Sequence, residues 1–96
     1  MNGEPQQIQL KASDQDLKGV YSNLMQVTHT KEEFILDFFS LNPSMPVGVL
    51  ASRVILSPSH LKRMAAVLED NMKKYESKFG KVSPAEESDK EIGFKA

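Results

Sequence analysis

Cysteine and tryptophan are both absent from this 96-residue chain. Without cysteine there is no disulfide framework, no thiolate metal site and no thiol nucleophile. Glycine is sparse at five residues, and none is arranged as a phosphate-cradling loop. No nucleophile elbow or paired-carboxylate hydrolase pattern is present. Charge of one sign is lacking too: 12 basic residues face 13 acidic ones, for a net charge of −1. A dedicated nucleic-acid binder carries a basic excess that displaces counterions from phosphate, and this chain has none overall. No apolar run approaches a membrane span. The opening stretch Met1-Asn2-Gly3-Glu4-Pro5-Gln6-Gln7 lacks the basic and apolar regions of a secretory signal. These absences lead us to expect a cytoplasmic protein of bacterial type that is not an enzyme, needs no cofactor or metal and does not enter a membrane.

The most informative stretch that is present is Phe34-Ile35-Leu36-Asp37-Phe38-Phe39-Ser40-Leu41. Read as a β-strand, it is apolar on both faces, with one carboxylate among large side chains. A chain this short can cover one face of such a strand with its own helix but has little left for the other. We therefore expect a second copy to lie there.

The pattern divides the chain into three parts. Residues 1–16 form a polar, mobile segment in which Ile8-Gln9-Leu10-Lys11 alternates like a short edge strand, interrupted by Ser13-Asp14-Gln15-Asp16. Residues 17–82 form the folded domain. Residues 83–96 include Ser83-Pro84-Ala85-Glu86-Glu87-Ser88-Asp89, too polar to order themselves, so a disordered tail is expected. Its Ile92-Gly93-Phe94 could serve as a docking peptide, though a short apolar remnant is the simpler account.

Within the domain, Val20 to Thr28 suits a first strand, and His29-Thr30-Lys31-Glu32-Glu33-Phe34 closes a hairpin through a four-residue loop. That register sets Val27 against Leu36 and Met25 against Phe38, with Tyr21 on the same face. Two prolines in Asn42-Pro43-Ser44-Met45-Pro46 mark a loop, and Val47 to Leu56 is the third strand. A hairpin centred on Met45 places Leu36 opposite Val54, Phe34 opposite Leu56 and Asp37 opposite Arg53. The second face then carries Leu24, Ile35, Phe39, Leu41, Val49, Ala51 and Ile55 around Gln26, Asp37 and Arg53.

Ser57 followed by Pro58 is an N-cap and first-turn signature, and Gly80 supplies a stop. Between them Leu61, Met64, Ala65, Leu68, Met72, Tyr75 and Phe79 fall on one face of a helix about 33 Å long. The fold expected is α+β: a three- or four-stranded antiparallel meander followed by one long C-terminal helix packed on one sheet face. A runner-up has the distal half, Met72, Tyr75 and Phe79, packing on a partner.

Several spaced motifs carry a family resemblance: Gly19-Val20-Tyr21-Ser22-Asn23, Glu33-Phe34, Leu36-Asp37-Phe38, Ser52-Arg53-Val54, Leu56-Ser57-Pro58 with His60, and Tyr75-Glu76 with Phe79-Gly80. Over about residues 17 to 82 the chain resembles a small bacterial family catalogued as a domain of unknown function, family 3467. The resemblance implies a small prokaryotic cytosolic protein and carries no assigned activity. Export chaperones of the SecB kind also join antiparallel sheets to a long helix, a similarity of architecture with no motif behind it.

The expected function is a non-enzymatic, homo-oligomeric interaction or scaffold module, a dimer or higher, with room for a protein partner. Its interface is Leu24, Ile35, Asp37, Phe39, Leu41, Val49, Arg53 and Ile55. In that setting Asp37 and Arg53 form a paired charge that sets register, in preference to an acid and clamp in a pocket. The alternatives are a SecB-like chaperone and a single-stranded nucleic-acid binder, in which Tyr21, Phe39 or Phe79 stack on bases. His60, Lys62, Arg63, Lys73 and Lys74 would then contact anion or nucleic acid, against the commoner role of a solvated helix face. His29 and His60 without cysteine make a poor metal set, and Ser57 is explained as a cap.

Overall fold

The computed structural model describes residues 6–84; the expected C-terminal tail with its Ile92-Gly93-Phe94 lies, from residue 85 onward, outside them. The element order is α1 (Asp14–Lys18), β1 (Leu24–His29), β2 (Phe34–Asn42), β3 (Val47–Leu56) and α2 (Pro58–Phe79). The three strands form one antiparallel sheet in the order β1-β2-β3.

The first hairpin has the register the alternation demands: Val27 pairs with Leu36, Met25 with Phe38 and His29 with Phe34. Its loop closes through the Thr30 N–H donating to the Glu33 carbonyl at 2.9 Å. The Thr30 hydroxyl also accepts from the Glu32 and Glu33 N–H groups, so no glycine is needed. β1 is shorter than expected, starting at Leu24. Tyr21 stands outside it, 73% exposed. Just ahead of the strand the Asn23 side chain imitates a backbone unit. Its amide accepts from the Leu41 N–H at 2.8 Å and donates to the Leu41 carbonyl at 2.9 Å.

The second hairpin turns on Asn42, whose side chain accepts from both the backbone N–H and the hydroxyl of Ser44. From the strand ends inward, Phe34 pairs with Leu56, Leu36 with Val54 and Asp37 with Arg53, as the pattern requires. A bulge then intervenes. Phe38 pairs with Ser52 but Phe39 pairs with Leu50, leaving Ala51 as the extra residue. Beyond it the faces of β3 are exchanged relative to simple alternation, because the side-chain period is two. Val49 opposite Ser40 therefore belongs with Leu36, and Leu50 opposite Phe39 takes its place beside Asp37.

No strand forms at Ile8–Lys11, where Ile8 and Leu10 are 79% and 93% exposed, so the sheet has three strands. The interrupting residues instead build α1. Ser13 and Asp16 form a capping box, each side chain accepting from the other's backbone N–H. Gly19 ends this turn at φ +73°, where a side chain would be strained.

α2 begins and ends where the caps put it. The Ser57 hydroxyl accepts from the His60 N–H at 3.2 Å, Pro58 opens the helix, and Gly80 at φ +101° donates its N–H to the Glu76 carbonyl. The helix does not, however, lie along the sheet. None of its residues is buried, and among its apolar side chains only Leu61 and Met64, in the first two turns, are half-buried. Leu68, Met72, Tyr75 and Phe79 are each about half exposed or more. A helix that leaves the sheet immediately after a strand end has no connecting loop with which to turn back over it. The radius of gyration is accordingly 17.1 Å, against about 12 Å for a compact chain of this length.

Candidate functional site

The two faces of the sheet differ in what they bury. The Leu36 face carries Met25, Val27, Phe34, Leu36, Phe38, Val49, Val54 and Leu56. Leu36, 4% exposed, and Leu56 are the only buried apolar residues among those described. The Asp37 face carries Leu24, Ile35, Phe39, Leu41, Leu50 and Ile55, and buries none of them. Gly48 also lies on this side: a Cβ there would meet Leu24, Phe39 and Leu41 at van der Waals distance, which shows how closely those three surround it.

At the centre of that face stands a pair of charges. Arg53 donates from Nε to Asp37 Oδ1 at 2.6 Å and from Nη2 to Oδ2 at 3.0 Å, a bidentate fork across β2 and β3. The carboxylate is buried, whereas the arginine side chain is 56% exposed and lies over it. Its two hydrogen bonds hold the Asp37 carboxyl below the ordinary carboxylate range, outweighing the opposing effect of desolvation. Asp37 in turn raises the Arg53 guanidinium. A carboxylate so fully engaged holds no spare proton near neutral pH, so the pair is suited to fixing strand register and poorly suited to acid–base work.

Of the eight residues expected at an interface, the fold brings Leu24, Ile35, Asp37, Phe39, Leu41, Arg53 and Ile55 onto one face. Val49 is the correction: the bulge at Ala51 carries it to the opposite face. Leu50, 47% exposed, is the residue that simple alternation misses.

The candidate anion contacts are not gathered into one cluster. His60, Lys62 and Arg63 lie in the first turns of α2, with Lys73 and Lys74 eleven residues further on, about 16 Å along the axis. Lys74 is paired with Asp70 at 3.2 Å. His29 stacks its ring 5.0 Å from that of Phe34 in the first hairpin. Among the described residues no three His, Asp or Glu side chains converge as metal ligands. A shallow depression of about 530 Å³ beside the second hairpin is lined by Ser40, Leu41, Asn42, Pro43, Met45, Val47 and Val49, without a charged group. No helix among the described residues is long and apolar enough to cross a membrane.

No curated protein and no solved structure matches the sequence. A family model, described as "Protein of unknown function (DUF3467)", matches residues 1–84, and the chain belongs to that family.

Proposed function

We propose that the chain is a non-enzymatic, self-associating protein-interaction module that works as a homo-oligomer in the cytoplasm. The observation that carries this reading is the poverty of the core. Among the described residues, two buried apolar side chains and one buried carboxylate, paired with a half-exposed arginine, do not offset the entropy of ordering some 80 residues, which costs roughly 1 kcal/mol or more each. The apolar surface needed for stability is present but uncovered: Leu50 and Ile55 on the Asp37 face, and Leu68, Met72, Tyr75 and Phe79 on α2. Burial in a second copy supplies what the single chain lacks, as obligate dimers do.

The Asp37 face is the proposed contact surface. Its apolar rim excludes water, and its central ion pair fixes one arrangement over others. Sedimentation across a concentration series tests this. A dimer or larger species at micromolar concentration is the expected result, whereas a folded, monodisperse monomer overturns it.

A further inference from the structure

We infer that α2 is a pairing helix, which zips antiparallel against α2 of a second copy in one defined register; the inference deepens the self-association reading and rests on it. Leu61, Ala65, Leu68, Met72, Tyr75 and Phe79 follow one another at alternating steps of four and three residues. This is a heptad seam sustained for about two and a half repeats, to the end of α2. From Leu68 to Phe79, past the half-buried Met64, the seam positions fall within an arc of about 60° at 100° per residue, narrower than the stripe of 100° or more by which a helix covers a sheet. A second helix fits so narrow a stripe better than a partner's sheet does. Leu61 is half-buried, but from Leu68 onward the seam is uncovered in the single chain, with Leu68 59%, Met72 48%, Tyr75 50% and Phe79 65% exposed.

Orientation follows from size and charge. In an antiparallel pair centred near Asp70, Leu61 meets Phe79 of the second copy, Ala65 meets Tyr75, and Leu68 meets Met72. Each small or medium side chain then faces a larger one, and the layers are of even width. A parallel pair would set Ala65 on Ala65 and Phe79 on Phe79, narrow at one end and wide at the other.

Charge beside the seam points the same way. Lys62 flanks it near one end and Glu76 near the other, so the antiparallel pair brings Lys62 of each copy to Glu76 of its mate, twice over. Glu69 against its own copy at the two-fold axis is the one unfavourable contact on that side. In the parallel pair these flanking positions bring Met64 to Glu69 and Asn71 to Glu76, with no opposite charges.

Area sets how much of the contact the helices supply. Side chains of this size present about 200 Å² each when fully exposed. The exposed fractions of Leu68, Met72, Tyr75 and Phe79 leave on the order of 450 Å² per helix, so the helix pair supplies roughly three-quarters of the ~1,200 Å² at which specific interfaces begin, and the Asp37 face is there to supply the rest.

The natural absence of cysteine makes disulfide trapping a clean test. Leu61→Cys and Phe79→Cys are made in separate full-length chains, one enlarged by a mass tag, then mixed and oxidised under conditions in which circular dichroism confirms the helix. A mixed Leu61–Phe79 disulfide, with neither variant linking to itself, is expected. Self-linked species of either variant place the helices parallel and overturn the proposal. Absence of any link, while sedimentation shows the wild-type chain associated, overturns the helix seam but leaves self-association standing; a monomer removes both. Charge reversal supplies an independent readout. Lys62→Glu should weaken dimerisation roughly fivefold and K62E/E76K should restore it; a double variant no tighter than the single one contradicts the register.

Discussion

Arg53 grips Asp37 through two parallel hydrogen bonds across adjacent strands, and it does so one residue pair away from the bulge at which β3 takes in an extra residue. The pair sits where the strands are still in step, with Phe38 and Ser52 the last partners before the register shifts. Its geometry makes it both a clamp on that register and a titratable element of the sheet.

The Asp37 carboxyl is held below its ordinary value, first by hydrogen bonding to Arg53. On acidification the unfolded chain therefore takes up this proton before the folded one does. Stability from the pair is complete above about pH 4 and is lost as the pH falls through the folded-state value. Asp37→Asn should lower stability at pH 7 and flatten the acid limb of a stability-versus-pH curve measured by urea unfolding. Asp16, lowered by its capping bonds to Ser13, accounts for part of the slope that remains. An unchanged acid limb in Asp37→Asn contradicts the linkage.

The bulge at Ala51 makes a directional prediction about the sheet. Phe39→Asp and Leu50→Asp both introduce a charge on the Asp37 face, where they pair across β2 and β3. Either should weaken assembly, raising the concentration at which the oligomer forms, or leave the chain insoluble. Sedimentation of the soluble fraction across a concentration series decides, and a variant that assembles as tightly as the wild-type chain shows that this face is not a contact.

Leu36 is the most buried apolar side chain described, at 4% exposure. Leu36→Ala should cost about 3 kcal/mol in urea unfolding, from lost burial and the void left behind. Val67, 57% exposed and off the helix seam, provides the contrast. Val67→Ala should stay within about 0.5 kcal/mol.

Ser57 caps α2 through a single hydrogen bond to the His60 N–H. Ser57→Ala should destabilise the protein by about 1 kcal/mol, with Ser57→Asn close to wild type, as read by thermal or chemical unfolding. Equal losses in both variants would point to packing of the serine and away from capping.

Much of this fold is legible along the chain. Alternation of large apolar residues specifies the β1-β2 register, because a slip of one residue would turn Leu36 and Phe38 away from Val27 and Met25. The Ser57-Pro58 start and the Gly80 stop of α2 are local signals, decided by backbone donors and φ angles within one turn. The Ser13–Asp16 capping box is just as local a signal, but the alternation of Ile8 to Lys11 points to a strand, and α1 buries nothing that would reinforce it. The bulge left no trace, since Val49, Leu50 and Ala51 are all apolar and either phase of the pattern looks acceptable.

From the sequence alone come the order of β1, β2 and β3 in the meander, the pairing of Asp37 with Arg53, and the limits of the long helix, because each depends on neighbours a few residues away or on a period of two. Tertiary structure decided which of Val49 and Leu50 stands beside Phe39, and that α2 leaves the sheet instead of lying on it. Both turn on how elements are aimed in space. An amphipathic stripe demands a cover, but its spacing does not say whether the same molecule provides one.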